Sequence, residues 1–349
     1  MSAMRIGLAG FGAWGRQHAR VYERLQGAEL AAIFCRGEAA AQAATSSHPE
    51  AQLVRSFGEL LALPLDVVAI AVPNHLHAHY AVEALKAGKH VILEKPLGTT
   101  LAECDAVLEA AQASGRNVAV NHELRVSQQW RQVREIIAGG EIGRVTHQHL
   151  SLFRRPFRPG SGGWRQDEAR VGSYSLEELV HFVDLMMWYA RENGLPYRVT
   201  ARASDGSAMP QTLSALLDWQ DGSSALVTQC LAGFQHHSLL EIAGGTGAIR
   251  TSWSGAFDRA EHPSFSLWVR ADGESDAGER AIAFSGELFE LEQNLASALA
   301  SFAGQGEPSL SLVEARNAVA LCLAIQEAGR HGDSVSLTDY WAEPGPVRR

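Results

Sequence analysis

Residues 5–15 of this 349-residue chain have the sequence Arg-Ile-Gly-Leu-Ala-Gly-Phe-Gly-Ala-Trp-Gly. The apolar run Arg5 to Ala9 predicts a buried strand, and Gly10, Gly12 and Gly15 follow it with the spacing Gly-x-Gly-x-x-Gly. Between a strand and a helix, this spacing is typical of a turn that binds the phosphates of a dinucleotide. Gly10 permits the tight turn, Gly12 lets a pyrophosphate reach the backbone, and Gly15 lets helix and strand pack closely.

The first third of the chain continues as an alternation of short apolar runs and helical stretches. The predicted strands are Arg5 to Ala9, Leu30 to Phe34, Val67 to Val72, Val91 to Glu94 and Asn117 to Val120. The predicted helices are Gly15 to Leu25, His75 to Lys86 and Leu101 to Ser114. This alternation predicts an α/β fold with a doubly wound parallel sheet covered by helices on both faces.

Beyond about residue 122 the pattern changes to strand-like runs, several of them separated by Gly/Asp/Ser turns, as antiparallel strands require. The predicted strands are Val145 to Phe153, Arg198 to Ser204, Thr212 to Trp219, Ala225 to Leu231, Leu239 to Ala243 and Phe265 to Val269. The predicted helices are Ser127 to Ala138, Leu176 to Ala190, Glu287 to Ala303 and Leu312 to Gly329. We therefore expect a dinucleotide-binding domain over residues 1–121 and an α+β domain with a largely antiparallel sheet over residues 122–349.

Bulk composition narrows the class of protein. The length favours two domains, and a net charge of -9 with both signs mixed along the chain argues against a nucleic-acid binder or a basic membrane-surface protein. No apolar run is long enough for a membrane span or a signal segment. The four separated cysteines form no zinc-binding pattern and no disulfide framework, so we expect a cytoplasmic protein without a metal.

Residues 88–97, Gly-Lys-His-Val-Ile-Leu-Glu-Lys-Pro-Leu, contain the first candidate catalytic residue. Pro96 cannot donate to a sheet ladder and restricts the residue before it, so the strand should stop there with Lys95 at its carboxyl end. Open α/β sheets bind their ligands at that end. Lys95 either enters the ligand crevice or is a solvated surface charge.

The choice of dinucleotide depends on the residues that directly follow the second strand. An acid that holds the ribose hydroxyls is expected there, but the chain has Cys35 and Arg36. An arginine without a carboxylate favours a 2'-phosphate, so we expect NAD or NADP, with a slight preference for NADP or dual use; Arg36 otherwise stacks on adenine or lies in solvent. His77 either faces the cofactor or is a structural histidine at a helix start. The candidate cofactor-binding residues are Gly10, Phe11, Gly12, Ala13, Trp14, Gly15, Cys35, Arg36, Pro73, Asn74, His77, Glu94, Lys95 and Pro96.

The predicted helix Leu176 to Ala190 carries Glu177, His181 and Asp184 at positions i, i+4 and i+7, so all three should share one face. On an otherwise apolar helix such a face should line a cleft; the alternative is a solvated stripe with a structural histidine. Hydride transfer from an alcohol requires a proton acceptor and a positive group that stabilises the alkoxide. We expect His181 to accept the proton and Lys95 to supply the charge or, if desolvated, to accept the proton itself. Glu177 and Asp184 complete the catalytic candidates.

An arginine-rich stretch with aromatic residues precedes this helix. It contains Arg154, Arg155, Arg158, Arg165 and Arg170 together with Phe153, Phe157 and Trp164. Arginine forks bind carboxylate or phosphate groups, and aromatic rings stack on sugars, so an anionic sugar is one interpretation. A surface or subunit-contact loop is the other. The candidate substrate-binding residues are Lys95, His122, Arg125, Arg154, Trp164, Arg165, Glu177 and His181.

Taken together, these motifs resemble the glucose-fructose oxidoreductase, inositol dehydrogenase and MocA (Gfo/Idh/MocA) family. The matching segments are residues 10–15, 73–77, 88–96, 121–125, 181–184, 244–247 and 306–308. The resemblance implies a Rossmann domain, a second domain with an open sheet that commonly supports homodimers or homotetramers, and a nicotinamide cofactor. One departure concerns substrate identity: the family commonly has Asp four residues before His181 and Gly two before it, where this chain has Glu177 and Leu179.

We therefore expect an NAD(P)-dependent oxidoreductase that acts on a hydroxyl or carbonyl of a sugar, polyol or sugar derivative. A redox-neutral glycoside hydrolase that works by transient oxidation and elimination would use the same Lys95 and His181. A non-catalytic dinucleotide-binding regulator is the third interpretation, although sensing a dinucleotide requires neither residue.

Overall fold

The computed structural model describes residues 3–207, 209–256 and 260–341. These residues form two compact units, each assembled from separate pieces of the chain. Of the described residues, those within 1–122, 160–172 and 291–319 form the N-terminal unit, and those within 123–159, 173–290 and 320–349 form the C-terminal unit. The predicted second domain, residues 122–349, extends at its end into residues 342–349, which lie outside the described residues.

The N-terminal unit is built on a six-stranded parallel sheet. Its strands are β1 (Met4–Ala9), β2 (Ala28–Phe34), β3 (Gln52–Val54), β4 (Val67–Ile70), β5 (His90–Glu94) and β6 (Val118–Asn121). Its first helices are α1 (Ala13–Arg24), α2 (Glu38–Ser47), α3 (Phe57–Leu61), α4 (His77–Lys86) and α5 (Leu101–Ser114). The strand order β3-β2-β1-β4-β5-β6 confirms the predicted doubly wound sheet and puts the reversal of strand order between β1 and β4, where such sheets bind ligands.

Burial explains why these short strands form. All four residues of β4 are buried, as expected for a parallel strand covered on both faces. The core beneath β1 includes Ile6, Leu8 and Val67 together with Leu291 and Leu295 from a later helix. Strand β3 and helices α2 and α3 were not predicted, because β3 has three residues and α2 is an alanine-rich segment without a clear apolar stripe.

The C-terminal unit is built on a nine-stranded sheet. Its strands are β7 (Val145–Phe153), β8 (Arg198–Ala203), β9 (Thr212–Asp218), β10 (Ser224–Cys230), β11 (His236–Gly244), β12 (Ala248–Gly255), β13 (Ser264–Arg270), β14 (Gly278–Glu279) and β15 (Ser334–Ser336). Helices α6 (Gln128–Ala138) and α8 (Val180–Tyr189) belong to this unit, and the remaining helices are α7 (Glu168–Val171), α9 (Glu287–Phe302) and α10 (Leu312–His331). Among the described pairs of this nine-stranded sheet, only β7–β10 is parallel, which confirms the predicted, largely antiparallel sheet.

One sheet face carries α8. Alternate residues of β7 and β11 are buried, as the period of a strand requires. The Gln148 amide on β7 donates to the Met186 carbonyl of α8 at 2.9 Å. The buried face of this sheet therefore supports the helix that carries His181.

The helix predicted from Leu176 to Ala190 is present, but it is not a regular α-helix throughout. Residues Ser175–Leu179 form a π-helical turn, and the α-helix begins only at Val180. The Leu176 N–H bonds to the Ser173 hydroxyl at 3.1 Å, a capping contact at the start of the segment. A wider turn changes the angular spacing, and the i, i+4 argument from Glu177 to His181 no longer applies.

Within the described ranges, no helix combines the length and the apolar character needed to cross a bilayer.

Candidate functional site

The glycine turn after β1 has the geometry that a pyrophosphate requires. Gly10 has a φ of 100°, and a Cβ there would lie 2.3 Å from the Ala71 carbonyl oxygen. A Cβ on Gly15 would lie 2.1 Å from the Gly10 carbonyl oxygen, whereas one on Gly12 would meet nothing within 4 Å. Helix α1 begins at Ala13 without a side-chain cap and without an acid in its first turn, so its N-terminal N–H groups suit an anion. The turn thus fits a dinucleotide, with Gly12 as the point of close approach.

The aromatic residues of this turn have different surroundings. The Phe11 ring is buried and meets the His48 ring edge-on, with ring centroids 5.6 Å apart. Trp14 is partly buried and packs against the hydrophobic core of the unit. Phe11 therefore supports the turn from inside, and Ala13 is exposed at the helix start.

Charged residues surround the end of β2. Cys35 is buried, which raises the pKa of its thiol, whereas Arg36 is exposed. The Arg55 guanidinium donates to the Glu38 carboxylate at 2.9 Å and to the Arg36 carbonyl oxygen at 3.4 Å. The first acid after β2 is therefore engaged by an arginine.

The segment after β4 is tied to neighbouring chain by polar side chains. After Pro73, the buried Asn74 amide donates to the Val171 carbonyl oxygen at 3.0 Å. The His77 ring lies between two carbonyl oxygens, with Nδ1 2.7 Å from that of Pro96 and Nε2 2.8 Å from that of Val72. His77 thus connects the ends of β4 and β5 inside the protein.

Lys95 follows β5 directly, is partly buried, and is joined to Pro96 by a cis peptide bond. The preceding Glu94 is buried and accepts hydrogen bonds from His18 Nε2 and the Asn121 amide, both at 2.7 Å. Burial alone raises the pKa of the Glu94 carboxyl, but the hydrogen bonds and the charges of His18 and Lys95 outweigh it and hold that pKa below its usual range. Glu94 is an ionised anchor within the unit.

The C-terminal unit contains a cavity into which His181 opens. It lies among residues from the turn after β6, the π-helical turn, α8, two sheet strands and the start of α9. Its described lining residues are Glu123, Leu124, Trp130, Glu178, His181, Phe182, His236, Ser238, Trp253, Ser285, Glu287 and Glu290. The lining combines carboxylates, two imidazoles and aromatic rings, and none of these described residues is Lys or Arg.

Two carboxylates of this cavity face histidines. Glu123 Oε1 lies 3.7 Å from His181 Nε2, and Glu178 Oε1 lies 3.5 Å from His236 Nε2. The other oxygen of Glu178 pairs with the Arg154 guanidinium at 2.5 Å. The cavity therefore holds two acid–imidazole contacts, and the Glu178 contact is already balanced by an arginine.

Glu290 lies deeper, at the start of α9. Its carboxyl accepts hydrogen bonds from the Ser285 hydroxyl at 3.2 Å and the Gly286 N–H at 3.3 Å. Burial raises the pKa of Glu290 to about 7, although these donors and the Ser127 hydroxyl oppose the effect. Near neutral pH Glu290 is therefore partly protonated and can donate a hydrogen bond as well as accept one.

Other predicted residues of this unit lie in structural contacts. Asp184 accepts two hydrogen bonds from Arg125, and the Arg125 guanidinium lies 4.7 Å from the centre of the Trp188 ring. Glu177 is buried but is not among the residues that line the cavity, whereas its neighbour Glu178 lines it.

The predicted residues of the arginine-rich stretch divide between the two units. In the C-terminal unit, Arg154 stacks on Phe157 at 4.1 Å as well as pairing with Glu178. In the N-terminal unit, Trp164 is buried and Arg165 stacks on it at 4.4 Å. His122, the last residue of the first segment of that unit, is fully buried.

The sequence analysis missed Glu123, Glu178, His236 and Glu290. Glu123 lies in the segment 121–125 that carried the family resemblance, three residues after the predicted strand Asn117 to Val120, and that position was an available signal. Glu178 was passed over because α-helical spacing selected Glu177. His236 lies on β11 with its neighbour His237 facing the other way, so neither pattern nor spacing marked it.

Comparisons with known proteins agree with this architecture. A family model described as "Oxidoreductase family, NAD-binding Rossmann fold" matches residues 4–122, and the "GFO/IDH/MocA C-terminal domain" matches residues 130–250. The chain is 37% identical over 121 residues to the uncharacterized oxidoreductase ORF334 of Rhizobium meliloti, covering 34% of this chain and 36% of that protein. It is 31% identical over 194 residues to the inositol 2-dehydrogenase of Salmonella typhimurium, covering 54% of this chain and 55% of that enzyme.

The fold has solved counterparts. An oxidoreductase domain protein from Kribbella flavida superposes with a TM-score of 0.83 at 20% identity, over 97% of this chain and 100% of that one. The aligned part of this chain spans about a third to a half of the length of these two sequence relatives. The superposition with the Kribbella flavida structure spans nearly the whole chain. With both of its characteristic domains matched in order, the chain belongs to the Gfo/Idh/MocA oxidoreductase family.

Proposed function

We propose that the protein is an NAD(P)-dependent oxidoreductase that interconverts a secondary alcohol and a ketone on a polyol or sugar-like substrate. The observation that carries this proposal is the C-terminal cavity, in which the buried His181 imidazole faces a carboxylate at 3.7 Å. The glycine turn of the N-terminal unit supports it, because its open backbone at Gly12 suits a pyrophosphate. The relationship to inositol 2-dehydrogenase supports the class of substrate.

The bound nicotinamide would supply a hydride acceptor in one direction and a hydride donor in the other. In the oxidation direction, His181 takes the hydroxyl proton while the C–H electron pair leaves as hydride and the C=O bond forms. In this proposal Lys95 supplies the positive charge that stabilises the oxygen on which negative charge develops. In the reverse direction His181 returns the proton, so the same two groups serve both reactions.

The electrostatic character of the cavity favours a neutral substrate. Its described lining offers carboxylates and imidazoles to hydroxyl groups, and its volume of about 30 Å³ suits a single hydroxyl group rather than a whole ring. The anionic sugar suggested by the arginine-rich stretch is less well supported, since the Arg154 guanidinium is paired with Glu178. We propose a neutral polyhydroxylated substrate.

For the cofactor we propose NADP, with NAD as the alternative. Arg36 is exposed after β2, and the nearest following carboxylate, Glu38, is engaged by Arg55. This arrangement favours binding of a 2'-phosphate over binding of ribose hydroxyls by an acid.

The decisive experiment incubates the purified protein with NAD+ or NADP+ and a panel of polyols, free sugars, and neutral and acidic glycosides. Formation of reduced nicotinamide is followed together with product mass. Accumulation of reduced cofactor with a neutral polyol or sugar supports the proposal, and Lys95→Ala and His181→Ala should each lose about 10²-fold or more in kcat. Release of a sugar without net reduction identifies the redox-neutral glycoside hydrolase instead.

The oligomeric state and location remain predictions. A homodimer or homotetramer is expected, and light scattering on the purified protein measures it. Fractionation of the source cells tests the expected cytoplasmic location.

A further inference from the structure

The short turn Glu123–Arg125 contacts α8 at two points. Glu123 Oε1 lies 3.7 Å from His181 Nε2, and Arg125 donates to both oxygens of Asp184 at 2.8 and 2.7 Å. Glu123 and Arg125, two positions apart on the turn, therefore contact His181 and Asp184. These two residues lie about one helical turn apart on α8. At the first point the turn presents a carboxylate to an imidazole, and at the second it presents a positive charge to a negative one.

Burial makes the first of these contacts important for the chemistry. Glu123 is 4% exposed and His181 is 6% exposed, so solvent screens their interaction poorly. A carboxylate 3.7 Å from an imidazole in such surroundings favours the protonated ring over the neutral one. The Asp184 carboxylate, which α-helical spacing had placed beside His181, is instead directed to Arg125.

We propose that Glu123 is the positioning residue that supports His181 as the proton acceptor. This inference rests on the proposed function. When the substrate O–H bond breaks, the proton goes to the His181 imidazole and the C–H electron pair goes to the nicotinamide as hydride. Glu123 gains no proton in this step; its negative charge stabilises the imidazolium and orients the ring.

Other titratable groups line the same cavity and must be considered. Glu178, from the π-helical turn, is paired with Arg154 and approaches His236 on β11. Glu287 and Glu290 enter from α9, and burial raises the pKa of Glu290 to about 7, so much of its charge is absent at neutral pH. Of these carboxylates, Glu123 faces His181 at 3.7 Å, whereas Glu178 faces His236 at 3.5 Å.

The first test needs no substrate. In histidine-labelled protein, the His181 ring signals are assigned by their loss in His181→Gln and then followed over pH by NMR. We expect Glu123→Gln to lower the His181 titration midpoint by about one pH unit or more. The matched control, Glu135→Gln, removes an exposed glutamate of α6 in the same unit and should leave the midpoint unchanged. An unchanged midpoint in Glu123→Gln overturns the inference.

The second test is kinetic and uses a substrate found with the panel above. We expect Glu123→Gln to lower kcat by about tenfold or more with a smaller change in KM, and to move the acidic limb of the pH profile to lower pH. Glu123→Asp keeps the charge and should restore much of kcat and of the profile. A Glu123→Gln enzyme with the wild-type kcat and pH profile overturns the inference while leaving the proposed function intact.

The two tests separate the possible failures. If Glu123→Gln does not fold, the NMR titration is done on Glu123→Asp instead. Its shorter side chain should lower the His181 titration midpoint by a smaller amount. If the wild type turns over no substrate, the proposed function fails, and the NMR titration alone decides whether Glu123 is the charge partner of His181.

Discussion

Arg125 and Asp184 form a buried two-point ion pair, with Nε 2.8 Å from Oδ2 and a terminal nitrogen 2.7 Å from Oδ1. The side chains are 4% and 1% exposed, and Asp184 lies one turn after His181 on α8. This pair fixes the face of the helix that carries the proposed proton acceptor. Asp184 was predicted to be catalytic; in the structure its two carboxylate oxygens accept hydrogen bonds from Arg125.

Breaking this pair should destabilise the C-terminal unit. We expect Asp184→Asn to lower the free energy of unfolding by about 3–5 kcal/mol, because it leaves the Arg125 charge buried without that carboxylate. The double variant Arg125→Met/Asp184→Leu should recover part of the loss, since no buried charge remains. Urea denaturation measures both. An Asp184→Asn protein as stable as the wild type would show that the ion pair contributes little.

Glu290 should make stability fall as the pH rises. Burial raises the pKa of its carboxyl to about 7 in the folded protein, above the usual value of 4.5, so the folded state binds the proton more tightly. Its contribution is fully present below pH 4.5 and is lost as the pH rises through 7.

Glu290→Gln removes this dependence. At pH 8 the variant should be more stable than the wild type by at most about 3 kcal/mol, and the difference should shrink toward pH 5. Denaturation midpoints across this range measure it, with the exposed Glu135→Gln as the control. A difference that is constant with pH contradicts the prediction.

His77 should carry a positive charge in its buried position. Its two ring nitrogens lie 2.7 and 2.8 Å from carbonyl oxygens, which accept hydrogen bonds and cannot donate them. Two hydrogen bonds therefore require N–H on both nitrogens. Nitrogen NMR at pH 7 should show both as protonated, and one unprotonated nitrogen would contradict this geometry.

The same argument predicts a cost for replacing His77. We expect His77→Ala to lose about 2–3 kcal/mol of stability, because the carbonyls of Val72 and Pro96 lose a charged donor. Urea denaturation of the variant and the wild type measures this loss, and an unchanged stability would contradict the prediction.

Arg36 should set the preference between dinucleotides. Arg36→Ala removes the exposed guanidinium after β2, so kcat/KM with NADP should fall about tenfold more than kcat/KM with NAD. Arg116→Ala is the control, since Arg116 is exposed next to His90 at the amino end of β5, away from the ligand-binding edge. Equal losses with both cofactors would show that Arg36 does not contact the 2'-phosphate.

Local patterns were sufficient for much of the fold. The run Val67 to Ile70 is apolar throughout, which is typical of a strand buried on both faces. Thr100 and Glu103 form the capping box that begins α5. Short or polar elements gave no such signal. β12 has only two large apolar residues, Ile249 and Trp253, among polar and small ones, and it was missed, although its pairing with β11 and β13 is regular.

The candidate site was less predictable than the fold. His181 was found because an imidazole on an apolar helix is conspicuous, but its neighbour Glu123 lies 58 positions earlier in the chain. The choice of Glu177 over Glu178 assumed 3.6 residues per turn, and the π-helical turn changed that spacing.

The sequence by itself determined the parallel sheet, the glycine turn and the position of Lys95 at the end of β5, because each depends on neighbouring residues and on the preferences of glycine and proline. Tertiary structure alone decided which carboxylate faces His181, and which arginine pairs with Asp184 and which with Glu178. It also decided which glutamate is buried deeply enough to keep a proton near pH 7. The physical reason is range: backbone preferences act over a few residues, whereas charge pairing and desolvation depend on groups brought together from distant parts of the chain.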